Sequence, residues 1–296
     1  MPTLAIVNPI AGKGSGARVW ERVRPPNWAS AFTAGPGHAR ELAANAARDG
    51  YDRVVVVGGD GTVCEAANGL AHTSTALAII PVGTGNDTAG NLGIPSDPRA
   101  AARMAETGAS RAIDLGEVRT SERQLYFLSV AGFGFDAEVA WRVNRVPKLV
   151  GGTLPYVIGV LLTLWRYRAA QMRLCLDEDA RVIERRVFLT AVANCASYGG
   201  GMRIAPAARP DDGMLDVCVV SQLSRLEVVR MLPKMYSGGH VQHRAVELQR
   251  CRVLTADADR RVLCHADGEL VGSLPARFAI APGAIQCVTG PELGSP

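Results

Sequence analysis

The sequence predicts a two-part chain: an N-terminal unit built on an open α/β sheet, then a β-rich unit of sandwich or barrel type. Three observations predict it. Three strand-like runs each end in a loop of glycine with Asn, Asp, Thr or Lys. After Val118 the texture changes to short apolar runs separated by turns. The length, 296 residues, is enough for two ordinary domains.

Leu4-Ala5-Ile6-Val7 reads as the first strand, and Asn8-Pro9-Ile10-Ala11-Gly12-Lys13-Gly14-Ser15-Gly16 as a glycine-rich loop before a helix over Ala17 to Val23. The loop lacks the Gly-Lys-Ser/Thr ending of a P-loop, so a strand–helix turn and a nucleotide loop both fit it. Ala31 to Ala34 reads as a short strand and the alanine-rich His38 to Arg48 as a helix. Val54 to Val57 has the β-branched character of a strand buried on both faces. It breaks into Gly58-Gly59-Asp60-Gly61-Thr62, and Glu65 to Leu70 reads as a short helix. Strand, glycine turn and helix start together present backbone N–H groups and a positive dipole end to phosphate. Ala76 to Ile80 is a further strand, ending in Pro81-Val82-Gly83-Thr84-Gly85-Asn86-Asp87. In an open α/β sheet, ligands bind at the C-terminal edge of the strands. One such loop is a turn; three at one edge read as a nucleotide cradle. A helix over Pro98 to Thr107 and a strand over Ile113 to Val118 complete the unit.

The second unit is read from apolar runs at Gln124–Val130, Gln171–Leu176, Val182–Ala193, Leu215–Val220, Cys251–Thr255, Arg261–His265, Ala276–Ile280 and Ala284–Val288. Helical segments interrupt it at Asp136–Leu164, broken at Pro147 and Pro155, and at Leu226–Tyr236.

The bulk numbers narrow the classes. With 48% apolar and 20% charged residues the chain is globular. A net charge of +4 is too mild to point to nucleic acid, but suits a chain that handles phosphates or meets an anionic lipid surface. Seven scattered cysteines without a C-x-x-C pair read as reduced core residues of a cytoplasmic protein. Met1-Pro2-Thr3 offers no basic start to a signal peptide. Leu149 to Trp165 is shorter than the roughly 20 residues of a membrane span and is interrupted by Gly and Pro. Arg142, Arg145 and Lys148 precede it and Arg166, Arg168 and Arg173 follow. A core helix and an interfacial helix docked on anionic lipid both fit.

Several motifs in this order resemble the diacylglycerol kinase catalytic-domain family of bacterial lipid kinases. They are Gly58-Gly59-Asp60-Gly61-Thr62, Pro81-x-Gly-Thr-Gly-Asn-Asp87, Gly132-Phe133-Gly134-Phe135-Asp136-Ala137, Tyr198-Gly199-Gly200-Gly201, Asp212-Gly213-Met214-Leu215-Asp216 and Asp267-Gly268-Glu269. The resemblance covers nearly the whole chain. The first motif alone would also fit the NAD kinases; the Gly-Thr-Gly-Asn-Asp loop and the late Asp-Gly-Glu favour lipid kinases.

The resemblance implies a Rossmann-like nucleotide domain over residues 1–120, joined by a C-terminal strand at about 282–296, and a β-sandwich lipid domain over 121–281. ATP would lie along Asn8, Pro9, Ile10, Ala11, Gly12, Thr33, Gly59, Asp60, Gly61, Thr62, Val63, Cys64, Glu65 and Thr84. Glu269 matches the general base. Asp212, with the carbonyls of Arg209 and Met214, matches a structural Mg²⁺ site. Phosphoryl transfer asks mainly for positioning and charge compensation. Asp60, Asp87 and Asp114 suit the waters of a Mg²⁺ ion, and Lys13 suits a phosphate as a point charge. Two positions depart from the family: Cys64, where relatives usually carry Asn, and Thr88, where many have Phe or Leu. The first touches nucleotide positioning and the second the acceptor pocket.

The expected activity is an ATP- and Mg²⁺-dependent transfer of phosphate to the hydroxyl of diacylglycerol or a similar lipid, at the inner face of the membrane with peripheral contact. A kinase for another lipid or sphingoid hydroxyl, and a non-catalytic nucleotide-binding regulator, are the alternatives. No stretch marks a decisive interface, so a homodimer is left open.

Overall fold

The computed structural model describes residues 1–145, 160, 162–178, 180–291 and 293. Fifteen strands are present among them: β1 Thr3–Val7, β2 Ala29–Phe32, β3 Arg53–Gly58, β4 Ala76–Pro81, β5 Ser110–Thr120, β6 Gln124–Phe127, β7 Val130–Gly134, β8 Ala170–Leu176, β9 Arg181–Ala193, β10 Leu215–Ser221, β11 Val246–Cys251, β12 Val253–Ala258, β13 Leu263–Ala266, β14 Glu269–Ser273 and β15 Ala276–Val288. The helices used below are α1 Gly16–Val23, α2 His38–Arg48, α3 Asp60–Leu70, α4 Asp87–Asn91, α5 Pro98–Thr107, α6 Phe135–Arg145 and α7 Arg225–Ser237.

The N-terminal strands lie parallel in the order β4-β3-β1-β2. β3 is buried along its whole length, as four consecutive valines require. Helices cover the sheet with small side chains: Ala39, Ala43 and Ala46 of α2 and Ala101, Ala102 and Ala105 of α5 are buried in its core. Asp97 caps α5 by accepting the Ala100 N–H (2.8 Å), with Pro98 at the first helical position, where its missing donor costs nothing.

The C-terminal unit is antiparallel, and its strands alternate between two cores. Leu215, Val217 and Val219 of β10 join one core, with Phe127, Phe133, Leu174 and Phe278. Cys218 and Val220 join the other, with Phe135, Phe188, Met202 and Met235. The period of two sorts the side chains onto opposite faces of the β7-β9-β10 layer. The second face is the one that bears the cavity described below. α7 packs over it, started by a capping box in which Ser224 Oγ accepts from Glu227 N (3.3 Å) and Glu227 returns the contact to Ser224 N (2.9 Å).

One strand joins the units. Ala284–Val288 was expected as a separate run, but it continues from Ala276 as the single strand β15, whose register shifts between Ala281 and Ile285. Its first half pairs with β12, while Gln286 and Cys287 pair in parallel with Ala76 and Leu77 of β4. The expected Gln124–Val130 run instead splits into β6 and β7, because Asp267 captures the N–H groups of Leu128, Ser129 and Val130. β11 was not foreseen: Val246-Glu247-Leu248-Gln249-Arg250 is mostly polar and only half-buried. Of the expected Asp136–Leu164 helix, α6 is described and residues 162–166 are helical; residues 146–159, and with them most of the expected apolar stretch, lie outside the described residues. Six of the seven cysteines are buried.

Candidate functional site

Three loops meet at the C-terminal edge of β1, β3 and β4. Asn8 donates from Nδ2 to Thr62 Oγ1 (2.8 Å), tying the first loop to the start of α3. Gly12 has φ +58°, and a Cβ there would lie 2.3 Å from Val82 O. A Cβ on Gly83 would lie 2.7 Å from Gly59 Cα, so the second and third loops touch backbone to backbone. Around Gly61, by contrast, no atom stands within 4 Å of a Cβ position. The three loops thus enclose open space in front of the N-terminus of α3, the local geometry that accepts phosphate.

Two carboxylates flank that space. A Cβ on Gly85 would sit 3.2 Å from an oxygen of Asp60 and 3.2 Å from one of Asp87. Asp60 accepts the Thr88 N–H (3.0 Å). Asp87 accepts the N–H groups of Gly200 (2.8 Å) and Gly201 (2.7 Å), across the cleft. Burial pushes the Asp87 carboxyl above its ordinary value; those two N–H groups pull it back and Asp60 pushes it up. α4 is fastened further by Asn91, whose side chain exchanges hydrogen bonds with Ser197. Thr88 pairs with Ser129 (3.2 Å), and both are buried and line the cavity described below.

The remaining sequence-predicted residues scatter. Thr33 continues the sheet edge through its N–H to Val7 O (2.9 Å), and Lys13, Ile10 and Thr84 are exposed. Val63 and Cys64 turn their side chains into the interior, and burial raises the Cys64 thiol well above its usual value. Glu65 accepts the Ala39 N–H (3.1 Å) at the start of α2, a structural contact. Asp114 was expected beside Asp60 and Asp87, but both its oxygens are taken elsewhere. It accepts the N–H groups of Gly213 and Gly283, 2.7 Å each, and so ties the 210–213 loop to β15.

The expected Mg²⁺ position at Asp212 holds a different cation. The carboxylate pairs with the Arg250 guanidinium and also accepts the Met214 N–H (3.1 Å), while the Arg209 side chain goes to Asp211 (3.1 Å). Asp216, buried beside them, has one oxygen without a hydrogen-bond partner, 3.7 Å from Arg250 Nε. The donors suit a cation, but a Mg²⁺ ion there would have to displace Arg250. No cluster of three or more His, Cys, Asp or Glu that could hold a metal exists among the described residues. Mg²⁺ at Asp60 and Asp87 would therefore complete its shell from phosphate and water oxygens, as that ion commonly does.

The turn between β13 and β14 closes the site. Asp267 (φ +46°) and Gly268 (φ +81°) take left-handed conformations. Asp267 accepts from Leu128 N (2.8 Å), Ser129 N (3.0 Å) and Val130 N (3.0 Å). Burial raises its carboxyl, the three N–H groups lower it, and Asp60 raises it. Glu269 follows, 46% exposed and not itself part of the cavity lining described below, with Oε1 on Arg123 (2.7 Å). The sequence marked Asp267 only as part of a motif; its threefold anchoring depends on backbone about 137 residues away in the chain.

A cavity of about 710 Å³ opens from this cluster, within the usual range for small-molecule sites. Asp60, Asp87, Thr88, Ser129 and Asp267 line one end. Phe135, Phe188, Met202, Met231 and Met235 line the other. Asp136 and His265 also line it, paired at 3.0 Å, with Tyr198 stacked parallel to the imidazole. Methionines make an adaptable apolar wall.

Residues 2–118 match the diacylglycerol kinase catalytic domain, and residues 129–289 match the YegS C-terminal NAD kinase beta sandwich-like domain. The chain is 34% identical over 290 residues to "Diacylglycerol kinase" of Mycobacterium tuberculosis, covering 95% of this chain and 93% of that protein. It is 32% identical over 264 residues to "Probable lipid kinase YegS-like" of Chromohalobacter salexigens, covering 86% and 81%. A crystal structure of a diacylglycerol kinase from Bacillus anthracis superposes with a TM-score of 0.73 over 98% of this chain and 97% of that one, at 22% identity, which supports the fold.

Proposed function

The chain belongs to the diacylglycerol kinase catalytic-domain family, and from that premise we propose that it transfers the γ-phosphate of ATP to the hydroxyl of diacylglycerol or a similar lipid, giving phosphatidic acid. Family membership makes it a lipid kinase and implies ATP use. The observation that carries the finer reading is the cavity with carboxylates at one end and methionine, valine and aromatic side chains at the other. A soluble acceptor would have no use for the apolar end, whereas an acyl chain gains about 0.8 kcal/mol per buried methylene.

Each residue then has a task. The loops at Asn8–Gly12, Gly59–Thr62 and Thr84 hold the nucleotide phosphates by backbone N–H groups, with Lys13 as a mobile charge. Mg²⁺, when bound, would offset phosphate charge, and Asp60 and Asp87 would be the residues to hold it through water. The acceptor's acyl chain lies between Phe188 and the methionines, which brings its hydroxyl to the carboxylate end. Glu269 takes the hydroxyl proton on its second oxygen while Arg123 holds the first. Asp267 fixes the turn that presents Glu269, and Thr88 with Ser129 lines the path of the hydroxyl. The acceptor is drawn from the inner face of the membrane.

The test is radiolabelled ATP with mixed micelles of diacylglycerol, sphingosine, ceramide and phosphatidylglycerol, with and without Mg²⁺. Labelled phosphatidic acid that requires Mg²⁺ is the expected result. Label in another lipid would change the acceptor. No label in any lipid would remove the reading.

A further inference from the structure

Nine large hydrophobic side chains stand exposed among the described residues, and five of them, Leu162, Trp165, Leu226, Val229 and Tyr236, belong to two segments in contact. They stand on the helical residues 162–166 and on α7. Arg225 joins the two segments, with its guanidinium 4.5 Å from the Trp165 ring and Nη2 donating to Trp165 O (2.7 Å). α7 is apolar on both sides. Val228, Met231 and Met235 face inward, while Leu226, Val229 and Tyr236 face out. Tyr236 lines the large cavity and is also 55% exposed, so the cavity opens at this helix.

Beside Trp165 lies a second, smaller pocket of about 130 Å³. Arg142, Arg166, Arg168, Arg260 and Arg261 line it, against the single acid Glu138. Arg142 Nε is buried there without a hydrogen-bond partner among the described residues. Of the five arginines, Arg261 has an ion pair among the described residues, with Glu122 at 4.0 Å. Arg260 donates to Arg168 O and lies over the Tyr167 ring, but five arginines against one acid leave the pocket with an excess of positive charge. An anion with several acceptor oxygens would offset it, since the guanidinium fork matches phosphate oxygens in pairs. The pocket has room for several waters, and so for a phosphoryl group.

We propose that this arginine pocket seats the phosphate headgroup of an anionic phospholipid, and that Trp165, Leu226, Val229 and Tyr236 around it lie in the bilayer surface. The inference rests on the lipid-kinase reading, because docking on this face sets the cavity mouth at Tyr236 against the leaflet that carries the acceptor. The bilayer is favoured over a free phosphate because the pocket borders the apolar cluster: Arg166 adjoins Trp165 in the chain, and tryptophan and tyrosine beside arginine suit the headgroup level of a membrane.

The experiment is co-sedimentation with phosphatidylcholine vesicles, with and without phosphatidylglycerol, together with the rate on dioctanoylglycerol in solution. The wild-type chain is expected to bind vesicles that contain phosphatidylglycerol and to leave the others largely unbound. Arg166→Ala with Arg260→Ala weakens binding by about fivefold per arginine. Arg166→Lys with Arg260→Lys also weakens it, because the charge is kept and the paired hydrogen bonds are lost. Trp165→Ala with Leu226→Ala weakens it as well, and every variant keeps the wild-type rate on the soluble acceptor. Unchanged binding in the alanine pair overturns the proposal, and so does full binding in the lysine pair, which would mean diffuse attraction alone. Displacement by inorganic phosphate at modest excess would make the pocket a soluble-anion site and overturns the docking. If the vesicle pattern holds while dioctanoylglycerol is not phosphorylated, the kinase reading falls and the docking stands.

Discussion

The two walls of the cleft are made of different material. On the β1-β3-β4 side the wall is backbone: Gly59 and Gly83 touch at their Cα atoms, Gly12 packs on Val82 O, and a Cβ on Gly16 would lie 2.0 Å from Asn8 O. On the opposite side it is side chain: methionines, valines and aromatics from α6, α7, β9 and the 198–204 loop. A backbone wall has one shape and suits a ligand of fixed geometry such as a triphosphate. A wall of methionine and aliphatic side chains re-forms around chains of different length and unsaturation.

The largest effect would show where the chemistry sits between the walls. Glu269→Gln is expected to lower kcat by 10²–10⁴-fold, the range for loss of a general base, with ATP affinity nearly unchanged. Steady-state kinetics with a nucleotide-binding titration checks it, and normal turnover removes Glu269 as the base. Next in size is a pair on the backbone wall. Gly83→Ala is expected to destabilise the fold by about 2–3 kcal/mol through overpacking, because the new methyl lies within 2.7 Å of both Gly59 Cα and Asn86 Oδ1. Gly61→Ala, with open space around it, is expected to keep stability within about 0.5 kcal/mol and to lose ATP affinity instead. Urea denaturation beside nucleotide titration separates the two, and similar behaviour of both variants would contradict a backbone-shaped cradle.

That contrast also explains what the sequence showed. Glycine at a strand end is a local signal, so Gly58-Gly59-Asp60-Gly61-Thr62 and Gly83-Thr84-Gly85-Asn86-Asp87 could be placed at one sheet edge from spacing alone. Asp60 and Asp87 do meet there. Asp114, read by the same logic, does not join them, because Gly213 and Gly283 reach it from distant parts of the chain. The apolar wall was not legible at all. Met202, Met231 and Met235 look like ordinary core residues until the fold brings them to Phe135 and Phe188. The arginine pocket was half legible: Arg142, Arg166 and Arg168 stood out as basic flanks, but Arg260 and Arg261 arrive from the β12–β13 connection. The resemblance implied a metal at Asp212, and nothing near it in the chain pointed to its pairing with Arg250, which comes from β11, a strand too polar to be recognised.

A smaller effect contrasts a half-buried carboxyl with a buried one. Asp87 is compensated by backbone N–H groups, whereas Asp216 depends on the Arg250 side chain. Burial raises the Asp216 carboxyl above its ordinary value, Arg250 lowers it and Asp212 raises it. A carboxyl raised in the folded state binds more protons there than in the unfolded chain, so stability falls as pH rises from the ordinary carboxylate range through the raised value, then levels off. Asp216→Asn is expected to flatten that part of the profile. Thermal unfolding at stepped pH checks it; an unchanged slope would place the titration on another group.

The central claim is that the apolar wall holds the acceptor's acyl chain while the backbone wall holds the nucleotide. An acyl-chain-length series of diacylglycerols in mixed micelles, run on the wild-type chain and on Met231→Trp, tests it most directly. The larger indole fills part of the cavity, so the preferred chain is expected to become shorter while KM for ATP stays as it was. A chain-length profile that does not move, or a change in KM for ATP alone, would contradict the claim.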